Sequence, residues 1–231
     1  MQCSRILFLL SLLSAGMLTV ETAEAISLGQ VDDFQGGTVL EWVEGPAGFP
    51  MTSPNPPSVV LDGGPLGGGD AFLQNVSSGE GSAGGRQVTI NRDQWTGDYL
   101  AAGVTQIAMD ISCAGTATLS IRVVLQGAGG TWYGSTNAFS LTEGDGWQSV
   151  VFNLSAAGLT STGGPDSLNT VLGSVTEMRI VSAFAGPTHI GDVVGTTFRV
   201  DNIRAVPEPA TWISLGVGAV LIAAVRRRRR K

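Results

Sequence analysis

Histidine and cysteine, which often act as catalytic bases and nucleophiles, are scarce in this sequence. The single histidine, His189, lies in a Gly-Pro-Thr-His-Ile-Gly stretch that is typical of a loop, and no G-x-S-x-G motif is present. A catalytic triad needs a base within reach of its nucleophile, and one histidine offers few ways to build it. Because the only cysteines are Cys3 and Cys113, a zinc site of histidine and cysteine ligands is also disfavoured. We expect His189 to be a structural or surface residue.

Carboxylates are the other candidates for chemistry. Asp110, Glu143, Asp145 and Glu177 could in principle supply the paired acids of a glycosidase. Nothing in their spacing brings two of them together, and Glu177 is expected at an exposed position beside a strand. We therefore predict no catalytic residues and no enzymatic activity.

Accessible aromatic rings are a further route to function, because sugar rings stack on aromatic faces. Trp95, Trp132 and Tyr133 lie in or beside polar, Gly-rich segments and are our candidates for sugar binding. Neighbouring residues of a strand point to opposite faces, so at most one of Trp132 and Tyr133 can be core in a one-sided sheet. Trp42 and Tyr99 are weaker candidates, and Trp147 is expected in the core.

The composition indicates which kind of domain positions these residues. Glycine is abundant at 33 residues, charged residues make up 14% and hydrophobic residues 43% of the chain. Low charge with enough apolar residues for a core favours an all-β extracellular domain over disorder. Residues 26–206 contain sixteen Asp and Glu against six Arg, a net charge of −10. Such an acidic domain disfavours nucleic acid as a partner and is compatible with cations or neutral sugars.

Alternation of apolar and polar residues predicts short strands separated by Gly-rich turns. The clearest strands are predicted at 106–111, 118–126, 147–154, 177–184 and 197–206. Further strands are predicted at 70–76 and 86–91, and weaker ones near 31–34, 39–43 and 132–139. In the last clear strand, the alternation places Phe198, Val200, Asn202 and Arg204 on one face. A short helix is expected over 167–173 with Ser167 or Asp166 as its cap, and 45–69 is expected to be a long loop.

The start of the chain has the organisation of a secretory signal peptide. Arg5 provides the positive region, residues 6–20 are apolar, and Ala23-Glu24-Ala25 matches a small-x-small cleavage site. We predict a signal peptide over 1–25. Its removal takes Cys3 away, so Cys113 is expected to be a buried thiol with no disulfide partner in its own chain.

The end of the chain combines three parts in sequence. Pro207-Glu208-Pro209 precedes residues 210–225, which carry no charge and would span about 24 Å as a helix. The positive residues that follow are Arg226, Arg227, Arg228, Arg229, Arg230 and Lys231. By the positive-inside rule this basic end stays cytoplasmic, which leaves the preceding domain facing outward.

These three parts resemble the PEP-CTERM sorting signal over roughly 206–231. The resemblance implies an exported protein of an exopolysaccharide-producing Gram-negative bacterium, held in the inner membrane as a precursor and processed by an exosortase. The mature form would lie at the cell surface or in the biofilm matrix. An ordinary single-pass anchor is the alternative, and it predicts the same topology.

Residues 26–206 carry a second resemblance. The segments 146–155, 175–180 and 198–203, and more loosely Asp32-Asp33-Phe34 and 69–73, are similar to a galactose-binding-like jelly roll, the fold of many carbohydrate-binding modules. The resemblance implies a β-sandwich (jelly roll) domain. It also implies a structural Ca²⁺ that joins the start of the domain to its last strand, with Asp201 as one ligand and Asp32 or Asp33 opposite it.

Taken together, the residues predict a non-enzymatic surface or matrix protein that binds extracellular polysaccharide. Two alternatives stay open at this point. One is a secreted glycan hydrolase or lyase with a sandwich fold, which would need two facing carboxylates in a cleft. The other is a structural, adhesin-like spacer without a ligand.

Overall fold

The computed structural model describes residues 25–45, 55–81 and 84–207, which form two antiparallel β-sheets packed against each other. The all-β sandwich prediction is therefore confirmed. Most of the predicted signal peptide, and the tail from residue 208 onward with its predicted membrane helix, lie outside the described residues. Within the described ranges, no helix has the length and hydrophobicity needed to cross a membrane.

Each sheet has six strands. The first sheet contains β1 (Val31–Asp32), β2 (Ser58–Val60), β3 (Phe72–Ser78), β5 (Gln106–Ala114), β9 (Gln148–Asn153) and β12 (Gly195–Val206). The second contains β4 (Val88–Asn91), β6 (Leu119–Gly127), β7 (Trp132–Ser135), β8 (Phe139–Leu141), β10 (Leu159–Gly163) and β11 (Val175–Ser182). Their orders are β2-β3-β12-β5-β9, with β1 beside β12, and β10-β7-β6-β11-β4, with β8 beside β6.

The core lies between the sheets and follows the alternation of the sequence. In β6, Leu119, Ile121, Val123 and Leu125 all point inward and are fully buried, as predicted. Ile107, Met109 and Ile111 of β5 face them from the other sheet. Cys113 belongs to the same cluster as a free, buried thiol, which confirms its predicted role. Burial of these side chains is the main favourable contribution to folding.

A bulge in β12 breaks the predicted alternation of the last strand. The register against β5 shifts between Asp201 and Arg204, and Asn202 adopts a positive φ of 49°. Asparagine tolerates this left-handed conformation better than most residues. Phe198 and Val200 point inward as predicted, but Asn202 and Arg204 do not share their face, so that part of the prediction is wrong. After the bulge, Ile203 and Ala205 resume the inward positions.

The short helix is α1 (Leu168–Leu172), with Ser167 as its N-cap accepting a hydrogen bond from the Thr170 N–H. The predicted helix and its Ser167 cap are confirmed. The predicted strand 39–43 is absent, because Leu40 and Glu41 have positive φ angles and only Val43 makes an isolated bridge, to Ile90.

Three further predictions need correction. The segment 132–139 contributes to two separate strands, β7 and β8, rather than one. The predicted loop 45–69 contains β2, which extends the first sheet beside β3. β10, which the sequence did not predict, forms the edge of the second sheet.

Candidate functional site

The outer face of the second sheet concentrates the polar and aromatic side chains best placed for binding. We call this face the platform. Strand register and alternation put the following side chains on it: Val88, Ile90, Arg122, Val124, Gln126, Trp132, Thr160, Glu177, Arg179 and Val181. Its strands are long and paired on both sides at β6 and β11, so its backbone forms a stiff support.

Glu177 forms ion pairs with two arginines on the platform side. One carboxylate oxygen accepts from Arg92 Nε at 2.7 Å and the other from Arg179 Nε. Glu177 is buried, which corrects the expectation of an exposed position. Burial without these partners would be costly, so the two guanidinium groups account for its charge.

Trp132 lies beside this ion-pair network. Its ring stacks on the imidazole of His189 with centroids 4.8 Å apart and an interplanar angle of 17°. The Arg179 guanidinium carbon lies 4.3 Å from the centroid of the Trp132 ring, within cation–π distance. Burial, with Arg179 nearby, lowers the pKa of His189, so the stacked imidazole is held in its neutral form.

A loop of residues 183–194, the covering loop, runs across part of the platform. Arg179 Nη1 donates to the His189 carbonyl at 2.7 Å, and Arg86 Nη1 donates to the Gly191 carbonyl at 2.7 Å. A Cβ atom on Gly134 would lie 3.4 Å from Pro187 of this loop, so the loop approaches β7 closely. Arginine side chains thus hold the covering loop to the sheet.

Arg122 is the most buried cation of the platform. Its Nε donates to the Ala183 carbonyl at 3.0 Å, and its Nη1 donates to the carbonyls of Ser135 and Thr136 at 2.6 and 2.7 Å. These three acceptors are neutral, and burial lowers the pKa of Arg122. The positive charge therefore stays on the face without a carboxylate bonded to it.

The same face carries a second apolar cluster. Val88, Ile90, Val124, Val181 and Ala183 are buried, with Trp132 packed partly against them. These apolar side chains are therefore covered, and only part of the platform is accessible. Trp132 is only half buried, whereas Thr160 is exposed at the edge strand β10.

The three predicted sugar-binding residues do not share one environment. Trp132 lies on the platform, and Tyr133 points to the opposite side and packs against the main core, as expected for adjacent residues of a strand. Trp95 is fully buried at 0% exposure, so its prediction as a sugar-stacking residue is wrong. The weaker candidates Trp42 and Tyr99 are buried as well.

The buried indoles surround Asp32. Trp42 Nε1 and Trp95 Nε1 each donate to Asp32 Oδ2 at 2.7 Å, and Gln94 Nε2 donates to the same atom at 3.0 Å. Burial raises the pKa of Asp32, against the effect of these donors. The structure thus gives Asp32 the role of a core acceptor, and the prediction of Asp32 as a Ca²⁺ ligand is not supported by its surroundings.

Trp147 is not in the core as predicted. It packs edge-on against Phe72 on the outer face of the first sheet, with ring centroids 5.3 Å apart, and its Nε1 donates to the Gly63 carbonyl at 3.0 Å. Trp147 directly precedes β9 rather than opening it, and its side chain lies on the outward side of the sheet.

The outer face of the first sheet carries a carboxylate cluster around Asp201. Asn202 Nδ2 donates to both Asp201 Oδ2 at 2.9 Å and Asp110 Oδ2 at 3.0 Å. Asp201 is 0% exposed, and its Oδ1 atom has no hydrogen-bond partner. Burial raises the pKa of Asp201 to about 7, with further upward contributions from Asp70, Asp110 and Asp33.

Whether this cluster fits a metal depends on the remaining oxygens. Both carboxylate oxygens of Asp70 accept hydrogen bonds, from Gln35 and from the Leu66 N–H, and Asp110 accepts from Ser149 and Asn202. In the described part of the chain, no three Asp, Glu, His or Cys side chains converge as a metal site would require. Within this cluster, the buried acid oxygen without a hydrogen-bond partner is Asp201 Oδ1, so a cation there would depend largely on carbonyl and water oxygens, which Ca²⁺ accepts.

The carboxylates considered for catalysis are separated by the sandwich. Glu177 lies on the platform, Asp110 lies on the outer face of the first sheet, and Glu143 and Asp145 lie in the turn before β9. Asp110 does approach another carboxylate, that of Asp201, but Asp201 is buried and inaccessible to a polymer.

The sequence did not predict the contribution of Arg92, Glu177 and Arg179. The spacing of Glu177 and Arg179, two residues apart on a strand, was a usable signal that they share a face. The reach of Arg92 to Glu177 depends on β4 pairing with β11 and could not be read from local pattern. Phe184, 82% exposed at the start of the covering loop, was also missed as an accessible aromatic residue.

Comparison with known protein families identifies one short match. Residues 205–230 match the PEP-CTERM protein-sorting motif. The motif implies an exported protein that is processed by an exosortase. A comparison with curated protein sequences finds no match.

Comparison with solved structures concerns the sandwich. An exo-β-agarase structure is similar with a TM-score of 0.54 and 13% identity, over 79% of this chain and 25% of the agarase. The chain therefore spans about a quarter of that enzyme's length. A family 11 carbohydrate-binding module from Clostridium thermocellum aligns with a TM-score of 0.45 and 15% identity, over 78% of this chain and 97% of the module. The CBM22-1 xylan-binding domain from Paenibacillus barcinonensis aligns with a TM-score of 0.41 and 15% identity, over 78% and 97%.

At these identities the structural likeness concerns the fold alone. The chain thus combines a two-sheet β-sandwich, similar in fold to part of an exo-β-agarase, with a C-terminal PEP-CTERM protein-sorting motif.

Proposed function

We propose that the sandwich domain binds an extracellular polysaccharide through the platform, without cleaving it, and that the mature protein acts at the cell surface or in the exopolysaccharide matrix. The jelly-roll form of the sandwich is part of this proposal. The observation that carries it is Trp132, an indole that contacts His189 and the Arg179 guanidinium and is only half buried, so that part of its ring stays exposed on the sheet face.

The surroundings of Trp132 suit a sugar ring. An indole supplies a flat apolar surface for the C–H groups of a sugar, and neighbouring polar side chains can bond its hydroxyls. Gln126 lies directly opposite Trp132 across the β6–β7 pair, and Thr160 projects from β10 one strand further.

The binding proposal is tested with glycans and two matched tryptophan variants. Binding of the full-length chain in mild detergent to the host's own exopolysaccharide and to a glycan array is measured for wild type, Trp132→Ala and Trp147→Ala. We expect Trp132→Ala to weaken binding by about tenfold or more, because a stacked aromatic anchor typically dominates such a contact. Trp147→Ala, which removes a half-buried indole from the other sheet, should retain binding. Binding to no glycan, or equal loss in both variants, would contradict the proposal and favour a ligand-free spacer.

The proposal that the domain is not an enzyme is supported by the state of its carboxylates. Glu177 is held by two arginines, and the bridged pair Asp110–Asp201 includes a fully buried acid. Neither arrangement offers an accessible acid and base around one glycosidic bond. New reducing ends or unsaturated sugars after incubation with any bound polysaccharide would overturn this part.

We further propose that Ca²⁺ binds beside Asp201 as a structural ion. Asp33, Asp70 and Asp110 are close enough to influence the charge of Asp201, and the orphaned Oδ1 atom offers an unused ligand. The proposal replaces Asp32 by this group on the outer face of the first sheet.

Calcium should raise the melting temperature of the wild-type protein, and Asp201→Ala should abolish that shift. Thermal unfolding with calcium and with EDTA measures the effect. Glu143→Ala, which removes an exposed carboxylate in the turn before β9, serves as the control and should keep the shift. An unchanged melting temperature of the wild type with saturating calcium would reject the ion.

A further inference from the structure

The arginines of the domain are concentrated on one of its faces. Residues 26–206 contain six arginines. Arg122 and Arg179 lie on platform strands, and Arg86 and Arg92 flank β4 in phase with its outward residues. The other two lie on the outer face of the first sheet: Arg199 and Arg204.

Acidic residues show the opposite distribution. On the platform side, Glu177 is the acid within the strands, and Asp192 in the covering loop bonds Ser182 and the Phe184 N–H. Among the side chains that point outward from the platform strands or continue β4 in phase, four are arginines and one, Glu177, is an acid, in a domain whose net charge is −10. Asp33, Asp70 and Asp110 accompany Asp201 on the other sheet.

Local pairing leaves part of this positive charge uncompensated. Glu177 is shared between Arg92 and Arg179, so the trio carries a net charge of +1 beside Trp132. Arg86 and Arg122 donate to backbone carbonyls, and within the described residues neither forms a salt bridge. Concentrating positive charge in an otherwise acidic domain is unnecessary for a neutral ligand.

We propose that the glycan bound at the platform is anionic, with carboxylated sugar units. This inference rests on the proposed polysaccharide-binding function and specifies its ligand class. A sugar ring contacts the exposed part of the Trp132 indole while its carboxylate lies against the Arg92–Arg179 pair. The planar guanidinium group of arginine matches a carboxylate in charge and geometry, which makes it the preferred residue for such contacts.

The acidic remainder of the domain does not prevent this binding at physiological ionic strength. Exposed charges that interact through solvent are screened over about 8 Å at 0.15 M salt. The carboxylates of the first sheet lie on the far side of the sandwich, two sheets away, and sheets pack about 10 Å apart. The nearby arginines therefore determine the potential that a sugar experiences at Trp132.

The test uses one polymer with and without its charge. Polygalacturonate and the neutral galactan made by reducing its carboxyl groups are compared with the full-length chain in mild detergent, in EDTA to prevent calcium bridging. We expect polygalacturonate to bind at least about tenfold more tightly, and its binding to weaken with added NaCl. Binding to the galactan should depend little on salt.

Arg92→Gln tests the source of the preference. It removes one positive charge but keeps a polar side chain near Glu177, which retains Arg179. We expect the preference for polygalacturonate to fall to about twofold or less, since a charged bond is replaced by a neutral one. Arg204→Gln on the opposite face is the matched control and should keep the wild-type preference. If Arg92→Gln fails to fold, the exposed Arg86→Gln replaces it and should lower the preference less.

The outcomes separate this inference from the function on which it rests. Equal binding of the charged and reduced polymers, with both lost in Trp132→Ala, overturns the anionic ligand and leaves glycan binding intact. A preference that survives Arg92→Gln and Arg86→Gln also overturns the inference. Binding of no glycan at all, charged or neutral, rejects the proposed function together with the inference.

Discussion

The carboxylate of Asp32 organises the packing of the two largest buried side chains. One oxygen atom accepts three side-chain N–H groups, two of them from indoles. Trp42 and Trp95 can be buried because their polar N–H groups find this acceptor. An acid near the first strand thus stabilises the core, where the family resemblance had suggested a metal ligand.

Asp32→Ala should destabilise the fold by about 3 kcal/mol or more, because it leaves buried N–H donors without an acceptor. Denaturant unfolding of the EDTA-treated protein measures the change. Asp33→Ala, at the exposed neighbouring position, should cost much less. Comparable losses in the two variants would show that Asp32 does not have this role.

Asp201 makes a prediction for pH. Its folded pKa of about 7 lies above its ordinary value of 3.8, because burial disfavours the charged form. The protonated acid therefore stabilises the fold below about pH 4, and this contribution is lost as the pH rises towards 7. In EDTA, the melting temperature of the wild type should fall relative to Asp201→Asn across that range. Parallel pH profiles for the two proteins would argue against a raised pKa.

Among the secondary-structure elements, α1 and the covering loop attach to the second sheet in different ways. The helix packs against the end of β6, where Gly127 allows the backbone of Val171 to approach closely. A Cβ atom on Gly127 would lie 2.9 Å from the Val171 Cα. The covering loop is instead held by arginine bonds to its carbonyls. Close backbone packing holds the helix to the sheet, whereas hydrogen bonds from arginine side chains hold the loop.

Gly127→Ala should therefore destabilise the protein by about 1–3 kcal/mol, the usual cost of overpacking. Chemical denaturation followed by tryptophan fluorescence provides the measurement. Gly36→Ala is the control, since a Cβ atom there meets nothing within 4 Å and the backbone φ is ordinary. A neutral Gly127→Ala would mean that α1 can shift to accept the methyl group.

In the whole molecule, the sandwich and the sorting motif have separate roles. The motif at 205–230 begins within β12, at residues that still pair with β5. The folded domain therefore ends almost directly at the sorting motif. The motif implies export and processing, and the proposed glycan binding is assigned to the sandwich.

Replacing Pro207-Glu208-Pro209 by Ala-Ala-Ala should block processing and retain the protein in the membrane fraction of an exosortase-containing host. Fractionation and immunoblotting reveal the longer precursor. The same precursor should accumulate for the wild-type chain in a strain without the exosortase. Normal release of the triple variant would show that another sequence directs processing.

Much of the architecture was predictable because strand alternation and helix capping are local. The alternation in β6, the Ser167 cap and the opposite orientations of Trp132 and Tyr133 all depend on neighbours in the chain. The bulge in β12 and the positive φ angles at Leu40 and Glu41 could not be predicted from the sequence. Non-glycine residues in that conformation are held there by tertiary contacts.

The sequence by itself determined the sorting motif, the all-β class and the buried thiol of Cys113, because composition and short-range pattern are sufficient for these features. Only the tertiary structure decided which aromatics are accessible, because burial depends on which strands pair and which loops cover them. In the folded domain, Trp95 lies in the core and Trp132 lies beside Arg179. The tertiary structure also brought Arg92 to Glu177 across 85 residues of sequence, and so created the platform on which the proposed binding depends.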